Sequence, residues 1–155
     1  MRRQLVLGTA VLAAAALGAV PAQAAKPKPK PKPIKGSYSL TLLPDPTYEA
    51  AGLAGMPGCA GVNPQGKNSH PFTVPAAGTL HVVLDATDPT KGAYPAGPDW
   101  DLYVMDAGGE VDSSTGGTSH EETLDGFKKK TAVTIMVCNN IGAPTGTVSY
   151  TFTYK

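Results

Sequence analysis

Four aspartates carry the most suggestive chemistry in this sequence. Asp85 and Asp88 precede the loop PTKGAYPAGP, and Asp99 and Asp101 follow it. If the strands on either side of that loop are neighbours in a sheet, the carboxylates converge, and Glu121 or Glu122 could approach from a third strand. Crowded carboxylates repel one another unless they stay hydrated or share a cation. Calcium, which takes six to eight oxygen ligands, is the ion such a set suits. The plainer alternative is that these aspartates cap turns through their own backbone or simply solubilise the surface. There is no D-x-D-x-D-G loop, so an EF-hand is excluded.

Other chemistries find little support. No G-x-S-x-G elbow is present, and the cluster Thr115-Gly116-Gly117-Thr118-Ser119-His120 reads as a hairpin loop. His70, His81 and His120 are scattered without the H-E-x-x-H spacing of a zinc hydrolase. No phosphate-cradling P-loop exists. Two cysteines, Cys59 and Cys138, lack the C-x-x-C spacing of zinc sites. In an exported chain an even count favours a disulfide, and only one pairing is available. Such a bond would pin the long Gly/Pro-rich 44–70 loop to a core strand. The aromatics that could form a contact surface are Tyr48, Tyr94 and Tyr103. Tyr103 shares the predicted outward parity of Asp101, whereas Trp100 is assigned to the core.

The elements that must position these groups are strands. Residues alternate with period two in SYSLTLL (Tyr38, Leu40, Leu42), GTLHVVLDA (Leu80, Val82, Leu84) and DWDLYVM (Trp100, Leu102, Val104). The same alternation recurs in TAVTIMVCN (Val133, Ile135, Val137) and in the last strand (Val148, Tyr150, Phe152, Tyr154). Shorter candidates are Pro71–Val74, Glu110–Ser113 and Glu121–Asp125. Turn residues separate them at 75–78, 107–109 and 142–146. Seven or eight short strands, each with one apolar face, predict an all-β, antiparallel two-sheet sandwich. No segment competes as a long amphipathic helix.

The N-terminus reads as an export signal followed by a spacer. Arg2 and Arg3 form a cationic start, Leu5–Val20 an apolar stretch, and Ala22-Gln23-Ala24 a small-x-small cleavage site. Three segments are therefore expected: a signal peptide at 1–24, a Lys/Pro linker at 25–35 and a β-sandwich at 36–155. The run KPKPKPKP over 26–33 favours polyproline II, a rod of about 25 Å at ~3.1 Å per residue. It reads either as an electrostatic tether to anionic cell-wall polymers or as a solvated spacer. The 36–155 segment carries six lysines against twelve carboxylates. That balance argues against a nucleic-acid-binding domain, which needs a basic face to displace counterions. No later apolar run approaches the ~20 residues of a membrane span.

Several of these segments together carry a family resemblance. Phe72 and Val74, then Gly78–Val82, Asp99–Tyr103, Gly109–Ser114 and Glu121 or Glu122, follow in order through residues 72–139. This series resembles the bacterial pre-peptidase C-terminal domain. The resemblance implies a jelly-roll-like sandwich, no catalytic signature, and protein or polysaccharide surfaces as partners. Calcium use in a collagen-binding branch of that superfamily adds an analogy for the aspartates. Phe127–Thr131 departs from the family's Gly-containing turn, and the domain stands alone here, whereas relatives usually trail a secreted hydrolase.

The expectation is thus a secreted, non-catalytic β-sandwich module that binds an extracellular protein or cell-wall polysaccharide, or assists secretion or folding. A secreted inhibitor or effector acting through the 44–70 loop is the alternative from another class, and a small hydrolase is a third.

Overall fold

In the computed structural model, residues 28–44, 59, 62, 64–87 and 98–155 are described. The expected signal peptide, Tyr48, Asp88 and Tyr94 lie outside them. Eight strands follow in order: β1 (Ile34–Thr41), β2 (Lys67–Val74), β3 (Gly78–Thr87), β4 (Asp99–Asp106), β5 (Gly109–Ser114), β6 (His120–Phe127), β7 (Thr131–Ile141) and β8 (Thr145–Tyr154). A 3-10 turn, Pro64–Gly66, leads into β2, whose first four residues fall inside the expected 44–70 loop. The strand β1 begins at Ile34, two residues inside the expected linker.

The strands form two antiparallel four-stranded sheets, ordered β1-β8-β3-β6 and β2-β7-β4-β5. On β1–β4, β7 and β8 the apolar parity faces the opposite sheet, whereas Val111 of β5 and Leu124 of β6 are exposed. Leu80, Val82 and Leu84 of β3, Leu102 and Val104 of β4, and Ile135 and Val137 of β7 are completely buried in the shared core. Val148 and Phe152 of β8 complete it. Trp100 is also fully buried, and its indole N–H donates to the Ala143 carbonyl at 3.3 Å. Gly146 passes so close to the ring that an added Cβ would lie 3.1 Å from it, so the β8 backbone itself forms one wall of the tryptophan pocket. Gly142 ends β7 at φ +108°, a left-handed conformation that permits the tight return into β8.

Two strands, β4 and β7, depart from simple in–out alternation, and β6 alternates with a polar inward set. At its start β4 is buried on both faces, from Asp99 through Leu102. A register shift between Asp99 and Trp100 sits at the same place. On β6 the inward positions are Glu121, Thr123 and Asp125, a polar strip facing β5 across the far edge of the sandwich. From Val137 onward, β7 is buried on both faces.

Candidate functional site: the acidic pole and the exposed sheet face

The buried faces of β4 and β7 are explained by the disulfide. Cys59 and Cys138 are bonded, with Cα atoms 5.5 Å apart. The bond draws Cys59 and Val62 onto the outer surface of the β2-β7-β4-β5 sheet, where they pack with Cys138, Tyr103 and Met136. Asp101 stands opposite Cys138 in the β4–β7 register, so the same cover encloses it.

Two expectations are corrected by this cover. Asp101 does not face solvent; it is 4% exposed. Tyr103 is not an open contact platform, because the Cys59–Val62 cluster lies against it and burial pushes its hydroxyl pKa upward. Asp101 and Tyr103 do point away from the core of the sandwich, but that side of β4 is not bare.

The expected four-aspartate set does not come together among the described residues. The strands β3 and β4 belong to opposite sheets. Asp85 is exposed on β3 and pairs with His120 at 2.6 Å. Asp99 and Asp101 stand together on the other sheet, where both are buried. The Asn140 side-chain amide donates to each of them. Burial raises the pKa of Asp99 and pushes Asp101 up to about 6, and the neighbouring carboxylates act in the same direction. The Asn140 amide opposes that rise, while its own Oδ1 is buried without a partner.

Glu121 joins this pole from the third strand, in a structural capacity. It is 2% exposed. Its carboxylate accepts from the Ser114 hydroxyl, from the Gly116 backbone N–H at 3.2 Å and from the Thr118 hydroxyl at 2.8 Å. It therefore holds the turn between β5 and β6. That turn in turn ties the two sheets together: Ala86 N–H donates to the Ser119 carbonyl and Trp100 N–H to the Thr118 carbonyl. Glu121→Ala removes the charged acceptor of three part-buried hydrogen bonds, an expected loss of about 2 kcal/mol in urea unfolding. A loss below the measurement error would contradict the clasp.

For a metal, the donors at this pole are the hard oxygens calcium prefers. Asp99 and Asp101 are the two expected carboxylates that the fold places together. One three-residue group among the described His, Cys, Asp and Glu residues has ligand atoms all within 4.8 Å of one another: Cys59, Asp101 and Cys138. The disulfide removes both of its sulfurs as metal ligands.

A second constellation lies on the outer face of the β1-β8-β3-β6 sheet. Three rows cross all four strands: Lys35–Thr151–His81–Leu124, Ser37–Ser149–Val83–Glu122 and Ser39–Thr147–Asp85–His120. His81 and Glu122 approach to 2.6 Å, and His120 Nε2 lies 3.9 Å from the same carboxylate. Asp85, His120, Glu122 and His81 thus form one alternating acid–imidazole chain. The hydrogen bond and charge of Asp85 raise the His120 pKa. Leu124, beside this chain, is 67% exposed. His70 has a different role: it points between the edge strands and stacks on Tyr38 with centroids 4.4 Å apart.

Glu121 was visible in the sequence as a third-strand carboxylate, but its role was not. The signal for a covered outer face was present as well, since Tyr103, Met136 and Cys138 all fall on the supposed solvent parity of β4 and β7.

No family model and no curated protein matches the chain. Among solved structures, one that resembles it is the crystal structure of a Yersinia pseudotuberculosis-derived mitogen. That likeness has 15% identity and a TM-score of 0.32, and it covers 57% of this chain and 86% of the mitogen.

Proposed function

We propose that the chain is an exported, non-catalytic β-sandwich module that binds an extracellular protein or polysaccharide through the outer face of the β1-β8-β3-β6 sheet. The observation that carries this reading is the three-row surface on that face. Hydroxyls from Ser37, Ser39, Thr147, Ser149 and Thr151 stand in register with the Asp85–His120–Glu122–His81 chain and the exposed Leu124. Neighbouring strands are ~4.8 Å apart, so the face presents a regular grid of donors and acceptors with an apolar contact at its edge. Such a surface suits a ligand rich in hydroxyl or amide groups.

Four potential nucleophiles of the chain have structural partners. Both sulfurs are consumed in the disulfide. Ser114 donates to Glu121 and Ser113 to Glu110, so these hydroxyls serve the β5–β6 edge. The ordered resemblance to pre-peptidase C-terminal domains points to the same class. Among the described residues, no helix is long and apolar enough to cross a membrane.

Retention of the purified chain on cell-wall, chitin, cellulose and collagen matrices tests the proposal, run beside an ester, peptide and glycoside hydrolysis panel. Retention on one matrix without turnover supports it; turnover of any substrate class, or no retention at all, overturns it.

The proposal extends to calcium at Asp99 and Asp101, where an ion would relieve the repulsion between two buried carboxylates. A ligand that binds the native state raises the melting temperature. The expected result is a rise in millimolar calcium, relative to chelator, that Asp101→Asn abolishes. An unchanged melting temperature would leave the compensation to Asn140.

A further inference from the structure

The lysines are distributed unevenly. The end of the sandwich opposite Asp99, Asp101 and Glu121 is formed by the start of β3, the end of β6 and the end of β8: Gly78 pairs with both Phe127 and Tyr154. The turn Lys128-Lys129-Lys130 leaves β6 there, and Lys155 follows β8. The N-terminal leader meets the domain at the same end, because Ile34 of β1 pairs with Phe152 of β8. Lys28, Lys30, Lys32 and Lys35 therefore enter beside Lys155. All eight of these lysines are exposed, and none takes part in an ion pair among the described residues. The described carboxylate nearest this end in the strand order, Asp125, faces inward and is 6% exposed, and Asp106 and Glu110 belong to the β4–β5 hairpin of the other sheet.

A groove of about 410 Å³ lies within this basic pole. Its floor is the last row of the exposed sheet face, Thr153, Thr79 and Gly126. Half-buried Phe127 and Tyr154 flank it, and Lys128 and Lys155 stand at its rim. An added Cβ at Gly126 would meet nothing within 4 Å, so the missing side chain is what keeps the groove open.

We infer that this groove and its lysines bind a linear anionic polysaccharide, with the leader running along the same polymer. The inference rests on the proposed binding role of the sheet face and names the chemistry of its partner. The components match such a polymer. Aromatic rings offer electron-rich faces to the C–H face of a pyranose. Threonine hydroxyls accept and donate to sugar hydroxyls. Repeated ammonium groups, those of Lys28, Lys30 and Lys32 on a stiff ~3.1 Å-per-residue rod, match a regular series of carboxylates or sulfates. The acidic opposite pole repels the same polymer and so orients the domain on it.

Alginate, a polyuronate, is the probe, with neutral dextran as control and duplex DNA and anionic phospholipid vesicles as comparison arms. The chain including residues 26–35 should be retained on immobilised alginate at about 0.05 M salt. It should be released by about 1 M salt, where the screening length falls to about 3 Å. Gly126→Glu fills the groove with a like charge at a position that tolerates a side chain, and should weaken alginate binding at least tenfold without lowering the melting temperature. Lys128→Glu/Lys130→Glu should do the same. Failure to bind alginate, equal binding to DNA or vesicles, or indifference to Gly126→Glu would each overturn the inference. Retention on neutral cellulose, chitin or collagen alone would overturn it while leaving the proposed function standing; retention on nothing would remove both.

Discussion

Replacing both Cys59 and Cys138 with alanine should lower the unfolding free energy by about 4 kcal/mol, the largest single effect expected in this protein. The bridge closes a loop of sequence separation 79. The chain-entropy relation gives roughly 4.5 kcal/mol for that length, a figure that native strain or residual denatured structure reduces. A second contribution acts in the same direction. The bond holds Cys59 and Val62 over Tyr103 and Met136, so its loss uncovers apolar surface. The measurement is urea unfolding of the oxidised wild type against the double variant. A difference below about 1 kcal/mol would show that the cover is held by packing alone. Thiol labelling of the folded wild type should find no reactive cysteine.

The second large effect is an inverted pH dependence. Asp125 faces inward from β6, is 6% exposed, and has one carboxylate oxygen with no partner. Burial, reinforced by Asp112, pushes its pKa up to about 6 from 3.8. The folded state therefore holds this proton more tightly than the unfolded chain. The associated stability is fully present below about pH 4 and is lost as pH rises through about 6. His120 acts in the same sense, since its folded pKa is raised and its contribution fades as pH rises above that value. The melting temperature should accordingly be higher at pH 5 than at pH 7.5. At pH 7.5, Asp125→Asn, which supplies a neutral group of the same shape, should stabilise the fold by about 2 kcal/mol, at 1.36 kcal/mol per pKa unit with allowance for relaxation. It should also flatten the pH profile. A melting temperature that falls steadily from pH 7.5 to pH 5 would contradict the assignment.

The inward acidic strip on β6 also shows how far the sequence can be read. All eight strands were legible from period-two alternation and turn residues, and β6 was found through HEETLD even though its inward set is Glu, Thr and Asp. Alternation does not depend on which parity is apolar, so the strand was visible while its buried face was not. The same limit applies to β4. The parity that carries Asp101 and Tyr103 was correctly separated from the core parity of Trp100, Leu102 and Val104. Parity specifies a side of the sheet, and only tertiary structure specifies what lies against that side. Here the cover comes from a segment distant in sequence and fixed by the disulfide. Pairing of Cys59 with Cys138 followed from their number, but the face it closes did not. Sheet order was likewise beyond local reasoning. Placing β3 and β4 in opposite sheets moved Asp85 away from Asp99 and Asp101 and into a pair with His120. The uneven lysine distribution was hidden for the same reason, since residues 28–35, 128–130 and 155 meet only through strand pairing.

Binding at the outer face of the β1-β8-β3-β6 sheet is checked by comparing matrix retention of the wild type with Leu124→Glu and Ser149→Glu. Both positions lie on that face, Leu124 at 67% exposure and Ser149 in the central row, so neither change should disturb the core. On the matrix that retains the wild type, both variants should elute with the unbound fraction while their melting temperatures match the parent. Retention of both variants at the wild-type level would contradict the account and place binding elsewhere on the molecule.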